Sequence, residues 1–290
     1  MNILSHSDFK SIVEAKQEIL TRIKHNKIVL EVFENLLRSK LGVFLIVNRG
    51  LNGYWTDKIV NFPSYSEIEK EKYTDFDKYL MTMPIFMATQ QRFLHFKKAI
   101  QDISRSKMIN VLAAPCGVLP EFYNAENKNI NYIDALDIDK ENFSLIEEKY
   151  RESKDKSKIR FINLDLLKFD KKNTYDLVVS NGLNLYISNI DILNKMFSIL
   201  FNSLKANGYL ITSFLSLPAV LSDKSPWDME KINLDLLAHQ ELIFKEILNV
   251  SWANYQSFNE FKALLREIGF QEIRIIWDVQ KMFPTIIAQK

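Results

Sequence analysis

Between residues 8 and 38, apolar residues recur at helical spacing, first Phe9, Ile12, Val13, Ile19, Leu20 and Ile23, then Ile28, Val29, Val32, Phe33, Leu36 and Leu37. Positions three and four apart share one face of a helix, so the pattern predicts two amphipathic helices with core-facing stripes. A glycine-punctuated stretch follows (NRGLNGYW, residues 48–55), then a polar loop with Pro63 and a charged run over residues 67–77. Pro84 opens another helical pattern, with Ile85, Phe86, Thr89, Phe93, Phe96 and Ile100 on related faces. Proline suits a first helical turn, where its missing N–H would have had no partner.

At about Lys107 the period changes. Apolar runs of strand length at 108–113, 132–136, 159–164, 175–180 and 208–214 alternate with helical segments. Such alternation implies parallel strands joined by helical crossovers, with helices on both faces. Two final runs, 272–277 and 283–288, are separated by only five residues (DVQKM), which allows an antiparallel hairpin but no crossover helix. The expected fold is therefore α/β: a seven-stranded, mostly parallel, doubly wound, Rossmann-like sheet with an antiparallel last strand. A helical region, residues 1–104, precedes the sheet domain, residues 105–290. Between the fifth and sixth strands, residues 217–255 exceed a simple crossover and contain Pro218, Pro226 and a helical pattern over 234–250. This stretch is either a substrate-selecting insertion or a crossover helix with a long preceding loop.

Composition narrows the function classes. With 47% hydrophobic and 26% charged residues, the 290-residue chain has the balance of a soluble globular protein. A net charge of +2 gives no strong pull toward nucleic acid or an anionic membrane. Lysines over residues 151–158 are interleaved with acids, and they read with Lys171 and Lys172 as solvated loops. The first residues lack the basic flank and apolar run of a secretory signal, and no run approaches 18 apolar residues, so a cytoplasmic protein without a membrane partner is expected. Cys116 is the single cysteine, which excludes an intramolecular disulfide and a cysteine-based metal site. His6, His25, His95 and His239 are scattered, without an HExxH pattern, and no metal is expected.

Ligands of open α/β sheets bind beyond the carboxyl ends of the strands, so the residues there carry the chemistry. After the first strand comes Ala114-Pro115-Cys116-Gly117-Val118-Leu119-Pro120. Gly117 permits close approach of backbone to ligand, and Pro120 suits a first helical turn that would present free amides. Glu121 in that turn would repel a pyrophosphate and suit a cationic amino group. The second and third glycines of GxGxxG are also missing, which argues against NAD or FAD. After the second strand, in Leu136-Asp137-Ile138-Asp139, Asp137 is placed to accept hydrogen bonds from ribose hydroxyls, and Asp139 to cap a helix starting at Glu141. After the third, Asp165 of Asn163-Leu164-Asp165-Leu166 could accept from an adenine amino group.

In order, AAPCG, LDID, NLDL, YDLVVSNG and LKANGYL resemble motifs one to five of the class I S-adenosylmethionine-dependent methyltransferases, over about residues 107–290. The first motif departs from the family pattern, with Ala-Pro before Cys116 and Val118-Leu119 where a second glycine would stand. The resemblance implies S-adenosyl-L-methionine as cofactor. Gly117 would approach its methionine part, Asp137 the ribose, and Asp165 with Leu166 the adenine, while Ser180 and Asn181 end the fourth strand beside the methyl group. Ala114, Cys116 and Ile138 are counted with these cofactor-binding residues. The N-terminal part resembles that of a bacterial methyltransferase group carrying GLNGYWT, here residues 50–56, ahead of ATQQRF, residues 88–93. This likeness extends to SNGLNLY (180–186) and FPTIIAQK (283–290). It implies an N-terminal lid that brings Tyr54, Trp55, Gln90 and Arg92 to the methionine end, with Arg92 pairing the cofactor carboxylate in a bidentate fork. For Tyr54 and Trp55 the alternative is packing of the arm.

The expected activity is methyl transfer to O or N of a small-molecule acceptor, with a protein methyltransferase or a non-catalytic interaction module as alternatives. An oxidoreductase on a related sheet is the weakest reading, given the missing glycines. Tyr54, Trp55 and Tyr186 are candidates for cation–π contact with the sulfonium. Candidates for a base are His95, His239 and Tyr186, with Asn184 as an orienting group. Ser180-Asn181-Gly182-Leu183 stands where the Asn/Asp-Pro-Pro-aromatic run of adenine and glutamine N-methylation would be, which disfavours nucleic acid as substrate. Neither the acceptor nor the oligomeric state is specified by the sequence.

Overall fold

The computed structural model describes residues 11–23, 25–123, 129–252 and 254–290. Phe9 and His6 lie outside the described residues. The chain forms two compact units: residues up to Gln90 with Asp228–Ala253, and Gln91–Trp227 with Asn254–Lys290. The division falls inside one continuous helix.

The helical unit begins with α1 (Ile12–Ile23) and α2 (Lys27–Arg38), which bury Ala15, Ile19, Ile23, Val29, Phe33 and Leu36. Val13 and Ile28, read as part of the stripes, instead point outward, at 60% and 69% exposed. Asn26 caps α2, its side chain accepting from the amides of Ile28 and Val29. Then α3 (Lys40–Asn48) follows directly, capped by Ser39. Its backbone runs so close to α2 that a Cβ on Gly42 would lie 2.3 Å from the Leu36 carbonyl oxygen, which leaves room for glycine alone. The glycine-punctuated stretch is a joint between helices: Arg49 ends α3 in the left-handed region (φ 50°), and Asn52 caps α4 (Gly53–Asn61). Within the expected polar loop and charged run lie α5 (Glu67–Lys70) and α6 (Asp75–Leu80). Each starts with a capping box, Ser66 with Glu69 and Thr74 with Asp77, whose spacing can be read in the sequence. The expected helix from Pro84 is α7 (Pro84–Ser104), whose first residues complete this unit.

Asp77 is fully buried. It accepts from Ser39 Oγ (2.5 Å), Leu41 N (3.0 Å), Thr74 N (3.0 Å) and Thr74 Oγ1 (2.7 Å). Four donors match the four acceptor sites of a carboxylate, which joins the N-termini of α3 and α6.

The sheet unit contains β1 (Ile109–Ala113), β2 (Ile130–Asp137), β3 (Ile159–Asn163), β4 (Tyr175–Val179) and β5 (Leu204–Ser213). A short parallel pair, β6 (Leu215–Ser216) and β7 (Tyr255–Gln256), stands apart from the hairpin of β8 (Ile273–Ile276) and β9 (Thr285–Gln289). The seven-stranded sheet has the order β3-β2-β1-β4-β5-β9-β8, and β9 runs antiparallel to the other six strands. The expected fold class is observed. Crossovers include α8 (Glu141–Lys149) and α9 (Ile190–Ser203). On one face Val111, Ala113, Leu177, Val179, Ile211 and Ile287 pack with Phe96, Ala99 and Ile100 of α7. The stretch after β6 leaves this unit. Its helix α10 (Leu234–Glu241) continues as a π-helical turn, Leu242–Ile247, and packs in the helical unit, where Phe244 meets Phe86 and Trp252. The sheet resumes with α11 (Phe258–Ile268).

Asp134 in β2 is buried and receives Arg160 Nε (2.6 Å), Tyr175 Oη (2.6 Å) and Lys171 Nζ (3.1 Å). Lys171 is thus an ion-pair partner and not merely a solvated loop residue. Burial pushes the Asp134 carboxyl up, but these donors outweigh it and hold it below the usual carboxylate range.

Two stability measurements check this account. Asp77→Ala is expected to lower the unfolding free energy by roughly 3 kcal/mol in urea titration, because four donors lose a charged acceptor; a change below about 0.5 kcal/mol would contradict the role given to Asp77. The Asp134 contribution is present above the carboxyl's unfolded value of about 3.9 and is lost as pH falls through its lower folded value, so Asp134→Asn should flatten the acid limb of the stability curve.

Candidate functional site

The carboxyl ends of β1, β2, β3, β4 and β5 form one rim. After β1 the chain is stitched to both neighbouring strands, with Ala114 N donating to Val179 O (2.9 Å) and Cys116 N to Leu136 O (2.8 Å). Gly117 (φ 50°) and Leu119 (φ 51°) are both left-handed. Leucine therefore adopts a conformation that glycine takes freely, at a cost of about 1–2 kcal/mol. Its side chain lies fully buried in the core and its carbonyl accepts Tyr150 Oη (2.7 Å), which offsets that cost. Pro120 and Glu121 lie in a turn and not in the expected first turn of a helix. Glu121 is buried there, at 4% exposed.

Asp137 ends β2, 6% exposed. Its Oδ2 accepts Gly117 N (3.0 Å) and Asn142 Nδ2 (3.1 Å), with the Cys116 thiol at 3.8 Å, and its Oδ1 accepts Asp139 N (3.0 Å). Oδ2 is saturated, while Oδ1 keeps one acceptor site, so the carboxylate fits one ribose hydroxyl and not two. Burial raises the Asp137 carboxyl above the usual range, its hydrogen bonds opposing. Burial and the adjoining Asp137 likewise push the Cys116 thiol up, so this cysteine is no ready nucleophile. The N-cap of α8 is Lys140 and not the expected Asp139, whose Oδ1 accepts Glu141 N (2.9 Å) from one position further back. Ile138 is 41% exposed, an apolar surface beside the carboxylate. Asp165 uses Oδ1 for Leu167 N (2.9 Å), starting a single 3-10 turn in which Leu166 is buried. Among the described residues its Oδ2 receives no hydrogen bond, which suits an amino donor.

At the end of β4, Ser180 Oγ and Asn181 Oδ1 are buried without partners. Gly182 (φ 90°) turns the chain into the short helix Leu183–Tyr186. Asn184 there donates through Nδ2 to Ser213 O (2.8 Å), while its own Oδ1 has no partner. Asn254 secures this helix, with Nδ2 on Asn184 O (2.9 Å) and N on Leu185 O (3.1 Å). Nothing in the local sequence marks Asn254, because its partners are some 70 positions away.

Arg92, 3% exposed, donates from Nη1 to Ser213 Oγ (3.1 Å), and its guanidinium lies 3.5 Å from the centroid of the Phe283 ring. Its Nε has no partner. Burial pulls its pKa down to about 9, against the opposing pull of Glu121, Tyr186 and Asp278. One turn on, His95 is half-buried with Nδ1 unpartnered, and burial lowers its pKa against the pull of Asp278. Asp278 itself accepts the amides of Gln280, Met282 and Phe283 and shapes the hairpin loop. Sequence reading missed Ser213, Asp278 and Phe283. The available hints were the first residue of the DVQKM connection, for Asp278, and the FPTIIAQK likeness, for Phe283.

Tyr54, Trp55, Gln90 and His239 belong to the helical unit. Trp55 is buried with its ring 5.3 Å from Tyr54 and 6.2 Å from Phe44, while Tyr54 is 39% exposed. Gln90 donates to Met81 O (3.4 Å), and His239 bonds Tyr79. That unit also holds an open cavity of about 520 Å³ lined by Arg22, His25, Asn26, Lys245 and Asn249. None of these residues has a buried polar atom without a partner, and Arg22 is spent on the carbonyls of Glu246 and Ile247, so the rim is the better candidate. Among the described residues no group of three His, Cys, Asp or Glu could hold a metal ion, and no helix is long and apolar enough to cross a membrane.

No family model matches the sequence, and none of the curated proteins compared with it matches either. Among solved structures the chain is similar to a Bordetella parapertussis protein named as a possible exported protein, with a TM-score of 0.89, 26% identity and 97% of each chain covered. It is also similar to a candidate O-methyltransferase from Nostoc punctiforme (TM-score 0.51, 17% identity, 71% of this chain and 60% of that one). A third likeness is to the [4+2]-cyclase SpnF (TM-score 0.51, 11% identity, 70% and 82%). The chain has the seven-stranded, Rossmann-like architecture of the class I methyltransferases.

Proposed function

We propose that this chain is an S-adenosylmethionine-dependent methyltransferase acting on an oxygen or nitrogen of a small-molecule acceptor. One observation carries the reading: at a single rim, Asp137 holds the β1 turn through the Gly117 amide, and Ser180 and Asn181 at the end of β4 present buried polar atoms without partners. Such atoms cost free energy unless a ligand or water meets them.

When bound, the cofactor supplies a methyl group on a sulfonium, an electrophile that needs alignment more than activation. The chain's own residues then do the holding. Asp137 Oδ1 would take a ribose hydroxyl and Asp165 Oδ2 an adenine amino group, with Ile138 and Leu166 as apolar neighbours. Ala114, Cys116 and Gly117 form the turn at the methionine side. Asn184 is an orienting group, since an amide can position an acceptor but cannot take its proton. His95, kept neutral by burial, is chemically able to accept one.

A second reading, a binding module without turnover, is favoured by the saturation of Asp137 Oδ2, which leaves the nucleoside fewer acceptors than a carboxylate can offer. The likeness to a cyclase also shows that the architecture houses other reactions.

Calorimetry with S-adenosylhomocysteine is expected to give saturable binding, weakened about tenfold or more by Asp137→Ala; a flat titration of the wild type would defeat the proposal. Because protonation removes an acceptor and burial raises the Asp137 carboxyl above its ordinary range, affinity should fall as pH drops through that raised value, less so in Asp137→Asn. In cell extract supplied with tritiated-methyl cofactor, label should appear in the low-molecular-mass fraction. Label confined to protein would support the protein methyltransferase instead, and no transfer with intact binding would support the module.

A further inference from the structure

We propose that Arg92, Asn184 and Thr285, gathered around Ser213 at the end of β5, anchor the methyl acceptor, and that the acceptor carries a carboxylate next to a hydroxyl or amine. This rests on the methyltransferase reading above. On the sheet face covered by α7, Ile211 pairs with Ile287 as the last apolar layer, and the next pair on that face is Ser213 with Thr285. Both are fully buried, yet both are polar. Around them three buried atoms lack hydrogen-bond partners: Arg92 Nε, Asn184 Oδ1 and Thr285 Oγ1. An apolar layer here would have closed the core, whereas this one holds unmet donors and acceptors at the rim where ligands enter such sheets.

The chemistry of the three atoms defines what would satisfy them. The Arg92 guanidinium is fixed by Ser213 Oγ on one nitrogen and by the Phe283 ring on one face, so its free Nε edge is held ready. A guanidinium edge matches the two oxygens of a carboxylate. Asn184 spends its Nδ2 on Ser213 O, so its Oδ1 can only accept and calls for a hydroxyl or amine. Of the acids whose charge acts on Arg92, Glu121, on the turn after β1, acts most strongly, and Asp278 accepts three backbone amides, while neither accepts a hydrogen bond from Arg92 Nε.

Position argues for the acceptor over the cofactor, to whose carboxylate the sequence assigned Arg92. In the order β3-β2-β1-β4-β5-β9-β8, the ribose and adenine candidates sit after β2 and β3, while Ser213 and Phe283 belong to β5 and the approach to β9, on the other side of β1. At about 4.8 Å per strand, β5 is about 10 Å from β1.

The test is calorimetry on the full chain saturated with S-adenosylhomocysteine, titrated with 4-hydroxybenzoate, salicylate, anthranilate and lactate, each beside its uncharged amide. At least one carboxylate should bind, its amide about tenfold or more weaker. Arg92→Lys and Asn184→Ala should each weaken the carboxylate by a similar factor, with affinity for S-adenosylhomocysteine within about twofold of wild type and melting temperature retained as the check on folding. Loss of S-adenosylhomocysteine binding in folded Arg92→Lys, carboxylates binding no better than their amides, or no member of the set binding to wild type would each overturn the proposal. If S-adenosylhomocysteine itself fails to bind, the same titrations on the cofactor-free chain decide the anchor separately from the methyltransferase reading.

Discussion

The rim of this sheet depends on one buried carboxylate. Asp137 sits where β2 ends, and through its two oxygens it holds the amide of Gly117 from the turn after β1, the amide of Asp139 and the side chain of Asn142 in α8. A carboxylate removed from water is costly unless its acceptor sites are filled, so three elements converge on it. The same bonds fix the turn that must meet a ligand, and they limit what Asp137 can still offer. Structure and binding compete there for the same few lone pairs.

The helical unit uses the same device for a purely structural end. Asp77 fills its four acceptor sites from Ser39, Leu41 and Thr74 and has none left. Asp134 is held by three donors, Arg160, Lys171 and Tyr175. Against these satisfied acids, the incompletely satisfied groups stand out by their location. Among the described residues, Ser180, Asn181, Asn184 and Thr285, at the ends of β4 and β5 or the start of β9, and Arg92, which meets Ser213 from α7, have unmet polar atoms, while others such as Gln256 lie elsewhere. A fold can carry many reactions, so this pattern of unmet hydrogen bonds says more about binding than the strand order does.

Much of the architecture was legible along the chain because it is encoded locally. Helix stripes follow a period of 3.6 residues, buried parallel strands stand out as short apolar runs, and the five-residue connection DVQKM had no room for a crossover helix. Position 137 was legible for a similar reason: an acid at the end of a strand can be located once the strand is. Helix α3 escaped because residues 40–48 are apolar all round and show no stripe, and α5 and α6 were hidden by their polar surfaces although their capping boxes were in view. Val13 and Ile28 were misassigned because a stripe read from apolarity alone is wider than the face that becomes buried.

By itself the sequence determined the strands of the main sheet, the striped helices, their order and the residues at the strand ends, since each depends on neighbours within a few positions. Tertiary structure alone decided that Arg92 meets Ser213, 121 positions away, and lies against Phe283. It likewise decided that Asn254 braces the turn holding Asn184, and that residues 228–253 pack with the helical unit although they are bracketed in sequence by the sheet. These contacts leave no period or spacing in the chain, because a hydrogen bond between distant residues depends on how elements stack in space and not on the order in which they are written.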